Sequence, residues 1–253
     1  MKHAKRLIGL ILPLVLLLVW WYATTFTAMS HAILPSLPEV AQAFSDLTAD
    51  GTLWGDLSVS LGRVLRGYVI AALLGVFLGS AMGMWKPFRA FLLPSVTAVR
   101  QIPVIAWIPL IILWCGIGET SKVVVIAIAA FFPITINTLG GIQSVPAEYL
   151  EMTNLYQFSA LRTFRKVCLP YALPQILVGL KLGLGSAWMA VVAAELIASS
   201  SGIGYRLSYA RGLMRSDIVI LCMVVIGLVG ILMDHILTHL FSRLLPWRKK
   251  LDR

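Results

Sequence analysis

Long apolar runs separated by short polar segments dominate this chain, and they predict a bundle of membrane-spanning helices. A helix needs about 20 mostly apolar residues to cross the hydrocarbon core of a bilayer, and six runs approach that length. They lie near residues 7–29, 67–85, 96–115, 122–138, 175–198 and 218–235. The third run contains Pro103 and Pro109, so we expect it to be interrupted at both prolines. The sequence therefore predicts an all-α, polytopic membrane protein with six transmembrane helices.

The first apolar run admits two interpretations, a cleaved signal peptide and a retained span. Basic residues precede it, as they do in both cases. Its apolar part is longer than the roughly 7–15 residues usual in a signal peptide, and it contains three consecutive aromatic residues at 20–22. We therefore interpret it as the first span.

Composition agrees with a membrane protein and excludes other classes. Hydrophobic residues make up 59% of the chain and charged residues 13%, a balance outside the ordinary soluble range. The net charge of +10 would suit a nucleic-acid partner, but the basic residues lie mostly in short segments between apolar runs, so no such partner is expected. Cys115, Cys168 and Cys222 are scattered without a CxxC spacing, which indicates neither a zinc site nor a disulfide framework.

The distribution of basic residues predicts the orientation of the chain. The segments on one side of the predicted bundle hold 13 Lys and Arg residues, and those on the other side hold six. Because cytoplasmic loops are enriched in Lys and Arg, we place both termini and the loop between the fourth and fifth spans in the cytoplasm. The predicted regions are an N-terminal transmembrane helix with its flank at 1–33, an extracytoplasmic segment with a lead-in helix at 34–66, a five-span core at 67–245 and a basic cytoplasmic tail at 246–253.

The polar segment at residues 144–170, between the fourth and fifth spans, predicts two short amphipathic helices. One face of the first has the i, i+3, i+4, i+7 spacing and consists of Tyr149, Met152, Thr153 and Tyr156. Ser159 is the predicted N-cap of the second, and we expect Pro170 and Pro174 to end it before the next span. An apolar helix face at the membrane surface suits a groove on a partner protein, and a helix lying on lipid headgroups is the alternative.

Many residues in and around this segment keep the order and spacing of one known family. Within the segment and the following span they are Glu151, Phe164, Val167, Leu169, Pro170, Leu173, Pro174, Gly179, Leu180, Ala187, Trp188, Ala194 and Glu195. Outside it they include Ser60, Arg63, Pro103, Pro109, Pro133, Asn137 and residues 202–205. From about residue 34 to the C-terminus, the chain resembles the permease subunits of ABC importers, above all those for nitrate, aliphatic sulfonates and taurine.

The resemblance implies a fold, a set of partners and an activity. It implies an ABC type I importer permease fold and a homodimer in the bacterial cytoplasmic (inner) membrane, with two separate ATP-binding subunits and a periplasmic or lipid-anchored substrate-binding protein. ATP and Mg²⁺ would bind to the ATPase subunits. No cofactor is expected in this chain, which lacks the GxxxxGK[ST] phosphate-binding motif. The implied activity is import of a small polar solute, such as a sulfonate, taurine or nitrate, by alternating access.

By the same resemblance, residues 144–170 form a cytoplasmic coupling loop that contacts the ATPase through Glu148, Glu151, Tyr156, Ser159, Phe164, Arg165 and Pro170. A short helix held between Pro146 and Pro170 suits this task, since such a loop cannot absorb a displacement by uncoiling. The chain departs from the family pattern, which has small residues after Glu151 and a glycine before the second short helix. The residues found at these positions are Met152, Thr153 and Gln157.

Polar residues inside the predicted spans are candidates for a substrate pathway, because an ionisable group at mid-membrane costs at least about 2.5–3.5 kcal/mol and needs a reason to be there. The predicted pathway residues are Arg100, Gln101, Pro103, Asn137 and Glu195. Arg100 is the cation that we expect to meet an anionic substrate. The alternative is that Arg100 and Lys181 extend to the inner lipid headgroups while Glu195 lies at the outer interface, and we favour this alternative for Lys181.

An intramembrane enzyme is the alternative function. A serine nucleophile needs a histidine base within reach, and Ser186 lies in a glycine-rich stretch that is far in sequence from any histidine. Near the end of the sixth span, Asp234, His235 and His239 lack the Glu that a zinc-protease motif places directly after its first His. We interpret these three residues as a polar interfacial cluster, and no catalytic or metal-binding residue is predicted.

Overall fold

The computed structural model describes residues 2–26, 30 and 33–244, and every regular element in these ranges is helical. The helices are α1 (Lys2–Phe26), α2 (Leu37–Ala49), α3 (Thr52–Met84), α4 (Lys86–Val99), α5 (Val104–Cys115), α6 (Glu119–Gln143), α7 (Ala147–Leu155), α8 (Ala160–Thr163), α9 (Leu169–Ala198), α10 (Ile203–Gly212) and α11 (Ser216–Leu244). A π-helical turn (Phe164–Cys168) lies between α8 and α9. The predicted all-α fold is confirmed. The predicted basic tail, residues 246–253, lies outside the described residues.

Each predicted span contains a helix, although the helix bounds differ from those of the apolar runs. Four helices, α3, α6, α9 and α11, are by themselves long and apolar enough to cross a membrane. α3 has 33 residues, so the predicted lead-in helix and the second span form one continuous rod about 50 Å long. α1 contains residues 7–26 of the first apolar run, and the apolar helix described within it is Ile11–Phe26.

The third predicted span is sharply bent. α4 and α5 meet at an angle of 98° across residues 100–103. Pro103 is the N-cap of α5 and cannot donate the N–H that a continuing α4 would need. The predicted interruption at Pro109 was wrong, because Pro109 lies inside α5. With 12 residues, α5 is about 18 Å long and is too short to cross a bilayer without α4.

Helices α3, α6 and α9 pack side by side and form the centre of the molecule. Gly75 and Gly79 of α3, the pair with GxxxG spacing, both face α6. A Cβ atom at Gly79 would lie 2.6 Å from the carbonyl oxygen of Thr135, so the two backbones are closer than any side chain would permit. Gly179 brings α9 equally near α6, since its Cβ would lie 2.6 Å from the Cβ of Asn137. Small residues therefore allow the three helices to form one tight core.

The two ends of this bundle differ. At the end where α9 terminates, α10 packs against α3, α9 and α11, and α2 packs against α3 and α11. α1 is tied to this end by a hydrogen bond of 2.9 Å from Trp20 Nε1 to the Pro35 carbonyl oxygen. We call it the network end, after the buried polar side chains described below. The opposite end, where α9 begins and where α7, α8 and the π-helical turn lie, is the coupling end.

Candidate functional site

The segment between α6 and α9 presents a short exposed helix, α7, at the coupling end. α7 begins after Pro146 and ends at Leu155. Thr153, predicted on the apolar face, is buried, and its hydroxyl donates to the Leu150 carbonyl oxygen at 2.7 Å. The exposed side chains include the other three residues of that face and both acidic residues: Glu148, Tyr149, Glu151, Met152, Leu155 and Tyr156. Such a mixed apolar and acidic surface is suited to contact with a partner protein.

The second short helix continues directly into the fifth span. Ser159 caps α8 as predicted, and its Oγ accepts a hydrogen bond from the Arg162 backbone N–H at 3.4 Å. The prediction that Pro170 and Pro174 end this helix was wrong, because Ala160–Ala198 is one continuous helical segment. The turn before Pro170 relaxes to π-helical hydrogen bonding, in which the Leu169 N–H donates to the Phe164 carbonyl oxygen five residues earlier. The segment therefore absorbs the prolines without ending.

An apolar cluster fixes this junction to the rest of the molecule. Its buried members are Ile142, Val145, Cys168, Ala172 and Ile176. Phe164 packs against the cluster from the π-helical turn, on which Arg165 is exposed. Tyr149 of α7 lies beside Tyr171 of α9, with ring centroids 6.2 Å apart. The cluster therefore joins α6 to α9, and α7 contacts α9 through the Tyr149–Tyr171 pair.

The turn between α7 and α8 has a glycine-like backbone without a glycine. Gln157 has a φ angle of 52°, in the left-handed region. This conformation costs about 1–2 kcal/mol for a residue that carries a Cβ atom. Hydrogen bonds of 2.9 Å from the Gln157 N–H to the Asn154 carbonyl and from the Phe158 N–H to the Thr153 carbonyl close the turn. The turn thus has a backbone conformation that glycine adopts without a steric penalty, although Gln157 occupies the position.

Arg63 is the centre of a buried polar network at the network end. Its side chain projects from α3 and is 2% exposed. Arg63 Nη1 donates to Glu195 Oε1 at 2.7 Å and to the Ser201 carbonyl oxygen at 2.7 Å. Arg63 Nη2 donates to Glu119 Oε1 at 2.5 Å. One guanidinium group therefore joins α3 to the start of α6, the end of α9 and the loop before α10.

Glu195, a predicted pathway residue, lies inside this network and is 1% exposed. Besides the bond from Arg63, its carboxylate accepts hydrogen bonds from Ser60 Oγ at 2.9 Å and from the Gly204 N–H at 3.0 Å. A Cβ atom at Gly202 would overlap the same carboxylate, so the loop closes tightly over it. Glu195 is thus fully partnered and faces no open space, and its place on a substrate pathway stays a prediction.

A second ion pair extends the network to α10. Asp56 Oδ2 accepts a hydrogen bond from Arg206 Nε at 2.7 Å, and Asp56 Oδ1 accepts one from the Gly202 N–H at 2.9 Å. This network was not predicted from the sequence, in which Arg63 and Arg206 are two of the six basic residues on the predicted outer side. The sequence shows that charged residues lie next to apolar runs, but it does not show which of these residues pair with each other.

The other predicted pathway residues lie at two separate places. Three of them are exposed at the bend between α4 and α5: Arg100, Gln101 and Pro103. Asn137 instead bridges α6 and α9, with its Nδ2 donating to the Pro133 carbonyl at 2.8 Å and its Oδ1 accepting from Gln175 Nε2 at 2.8 Å. The five predicted residues are therefore not gathered in one site, and their role in transport stays a prediction.

An open groove of about 820 Å³ lies between α5, α6, α9 and α11. Most of its wall is apolar or small: Val104, Ile105, Ala129, Val178, Leu182, Gly185, Met189, Ala190 and Ala193. Its polar lining consists of Lys181, Ser186 and Asp234. Lys181, interpreted from the sequence as extending to lipid headgroups, instead pairs with Asp234, with 3.1 Å between Nζ and Oδ1.

The surroundings of Ser186 do not form a catalytic arrangement. Ser186 lines the groove, but no histidine does so among the described residues. His239 Nε2 lies 3.1 Å from Arg243 Nη2, whereas Asp234 pairs with Lys181. These two residues of the predicted polar cluster therefore contact different partners. Within the described part of the chain, no group of three or more His, Cys, Asp and Glu side chains could hold a metal ion.

Comparison with known proteins gives a consistent result. The family described as binding-protein-dependent transport system inner membrane component matches residues 60–246. The chain is similar to SsuC of Bacillus subtilis (strain 168), which is assigned to aliphatic sulfonates transport as a permease protein, with 37% identity over 96% of this chain and 88% of SsuC. It is also similar to TauC of Escherichia coli (strain K12), the taurine transport system permease protein, with 36% identity over 92% of this chain and 86% of TauC.

Solved structures show the same fold. A chain from the crystal structure of an amino acid ABC transporter with histidines matches with a TM-score of 0.64. The match covers 79% of this chain and 96% of that chain, at 18% sequence identity. The predicted ABC importer permease fold is therefore confirmed.

Proposed function

Because this chain belongs to the family of binding-protein-dependent transport system inner membrane components, it is the permease subunit of an ABC importer, and we propose that it imports a small oxyanion. Membership implies an ATPase and a substrate-binding protein as partners, and it makes this chain a transport subunit rather than an enzyme. The proposal concerns how these partners assemble, where they contact this chain and which solute crosses.

The observation that supports the proposed coupling most directly is the exposed α7 helix on a rigid support. Its acidic and apolar side chains are turned outward, while the cluster around Cys168 joins its flanks to α6 and α9. The proposed coupling site consists of Glu148, Glu151, Tyr156, Ser159, Phe164, Arg165 and Pro170. Because Ala160–Ala198 is a single helical segment, a force on this site moves a whole span instead of unwinding a loop.

The proposed assembly has two copies of this chain, two ATPase subunits at the coupling ends and a binding protein at the network ends. In this orientation both termini lie in the cytoplasm. ATP binding closes the ATPase subunits, the α7 helices move with them, and the spans open outward to receive the solute. Hydrolysis resets the spans inward. ATP and Mg²⁺ bind to the ATPase subunits, and we assign no cofactor to this chain.

The proposed solute is a sulfonate, taurine or a similar small oxyanion such as nitrate. Two observations support this class: the similar proteins SsuC and TauC are named for aliphatic sulfonates and taurine, and Arg100 is exposed at the α4–α5 bend. A cation beside Gln101 and Pro103 would favour an anion at the pathway entrance. We propose that Asn137 and Glu195, which are bonded between helices, act on the pathway by positioning those helices.

Co-purification tests the assembly. The chain is expressed with the ATPase encoded beside it and purified through a tag on the permease, and ATP hydrolysis is then measured in lipid. We expect a complex with two copies of each subunit that hydrolyses ATP. Recovery of the permease alone, while the ATPase is well expressed, would contradict the proposed coupling.

Glu151→Lys tests the contact itself. Reversing a charge at a docking surface is expected to weaken binding by about 1.4 kcal/mol or more, which is about a tenfold loss of recovered ATPase. Asp46→Lys is the matched control, because Asp46 is also exposed but lies on α2 at the network end. Normal ATP-driven uptake by the Glu151→Lys transporter would refute the role assigned to α7.

A further inference from the structure

The groove between α5, α6, α9 and α11 holds a pair of opposite charges within the predicted fifth and sixth spans. Lys181 lies 12 residues after the start of α9, about 18 Å along a helix of about 45 Å. Its partner Asp234 is on α11, and both side chains are reached from the groove. Charged side chains inside a membrane are costly and mark solute pathways more often than other sites. The pair therefore requires an explanation beyond the apolar packing around it.

Helix packing does not provide that explanation. The Lys181 side chain is 39% exposed and that of Asp234 is 56% exposed, so the pair is not enclosed by the helices that carry it. α9 and α11 are held together independently, by buried Leu221 and Cys222 and by a hydrogen bond of 3.0 Å from Trp188 Nε1 to the Ile226 carbonyl. The ion pair is thus available for another task.

The Lys181 ammonium is also incompletely bonded. A lysine ammonium has three N–H donors, and among the described residues Asp234 is the one partner recorded for it. The hydroxyl of Ser186, five residues further along α9, also lines the groove and adds a neutral donor. An ammonium with free donors and a hydroxyl in the same groove can bind the oxygens of a sulfonate or another oxyanion.

We propose that Lys181 is an anion-binding residue of the translocation path, and that the acidic head of the transported solute replaces Asp234 as its partner during passage. This inference rests on the proposed function, since it names the residue that meets the oxyanion inside the membrane. Asp234 neutralises Lys181 while the groove is empty. Its carboxylate also competes with the solute, which keeps binding weak enough for release, as conduction requires.

Thiol labelling in the groove tests the charge at this position without relying on transport. Ser186→Cys is made in a Cys115→Ser chain assembled with its ATPase, because Cys115 is exposed whereas Cys168 and Cys222 are buried. Two methanethiosulfonate reagents are compared, one with an ethylsulfonate head and one with a trimethylammonium head. The ratio of their reaction rates reports the local preference for an anion.

We expect Lys181→Met to lower the sulfonate-to-ammonium rate ratio about tenfold, and Asp234→Asn to raise it by a similar factor. Lys181→Arg, which keeps the charge, should leave the ratio near that of the parent chain. If the ion pair had only a structural role, Lys181→Met and Asp234→Asn would lose equal thermal stability. The sulfonate-to-ammonium rate ratio would then not change.

Uptake of radiolabelled taurine and ethanesulfonate then tests passage, in cells that express this chain with its ATPase and binding protein. Lys181→Met should reduce the maximal rate about tenfold without raising the half-saturation concentration, which the binding protein sets, while Lys181→Arg transports. An unchanged labelling ratio or unchanged uptake in Lys181→Met would overturn the inference. If the parent complex hydrolyses ATP but imports neither taurine nor ethanesulfonate, the proposed sulfonate class fails, and the labelling ratio still tests the contribution of Lys181 to anion preference in the groove.

Discussion

Replacing Arg63 by methionine removes the cation from the buried network at the network end. The Arg63 guanidinium bonds to Glu195, Glu119 and the Ser201 carbonyl. Glu119 is half exposed and can be hydrated when Arg63 is lost, but Glu195 is sealed between α3, α9 and α10. The Arg63→Met chain must therefore either keep an unpaired carboxylate in its interior or protonate it.

The expected effect is large. Removing one partner of a buried ion pair costs about 3–5 kcal/mol, because the remaining charge stays desolvated. A chain of this size loses roughly 2–4 °C of Tm for each kcal/mol, so we expect Arg63→Met to lower the Tm by about 10 °C. Adding Glu195→Gln should restore most of this loss, since the amide is uncharged and keeps an oxygen acceptor for Ser60 and Gly204.

Buried cysteines supply the assay. In a Cys115→Ser chain, Cys168 and Cys222 remain inaccessible until the helices separate, so a thiol-reactive fluorescent dye reports thermal unfolding in detergent. The melting curves of the parent chain, Arg63→Met and Arg63→Met/Glu195→Gln are compared under identical conditions.

Arg66→Met is the matched control. Arg66 is one turn further along α3 and pairs with the same Glu119 at 3.1 Å, but its side chain is 56% exposed. Such a surface pair contributes at most about 1 kcal/mol, so its loss should lower the Tm by no more than about 4 °C. The reasoning is refuted if Arg63→Met melts like Arg66→Met, or if the added Glu195→Gln gives no recovery.

Two further predictions concern backbone positions. Gly79→Ala should destabilise the chain by about 1–3 kcal/mol, because the new Cβ meets the Thr135 carbonyl oxygen. Gly62→Ala is the control in the same dye assay and should show no comparable loss, because a Cβ there has no neighbour within 4 Å. Gln157→Gly should keep ATPase recovery and uptake intact, whereas Gln157→Val should reduce both, since a β-branched residue is least compatible with a φ of 52°. Equal behaviour of the two variants would show that the turn is not held in this conformation.

Features that depend on neighbouring residues in the chain were predicted well. The long helices α3, α6, α9 and α11 each contain a predicted span, because bilayer thickness sets the length of an apolar run, which is visible in the sequence. The capping role of Ser159 was correct because an N-cap bonds to N–H groups only two or three residues away. The GxxxG spacing of Gly75 and Gly79 is also visible in the sequence, but it does not tell that the helix they approach is α6.

Proline effects were predicted less well, because their outcome depends on the surroundings. Pro103 marks a sharp bend, while Pro109 lies inside a regular helix and Pro170 follows a π-helical turn. In each case the missing N–H is the same, and neighbouring helices and local hydrogen bonds decide whether the helix breaks or adjusts. The sequence therefore indicated where strain arises but not how it is relieved.

By itself, the sequence determined the all-helical membrane architecture, the position of the polar segment at residues 144–170 and, through the resemblance, the class of transporter. Only the tertiary structure decided which charges are partners. Arg63 and Glu195 are 132 residues apart in the chain, and Lys181 and Asp234 lie on different helices. The physical reason is that ion pairing requires atoms to meet within a few ångströms, and that distance is set by the packing of α3, α6, α9 and α11 rather than by any local pattern.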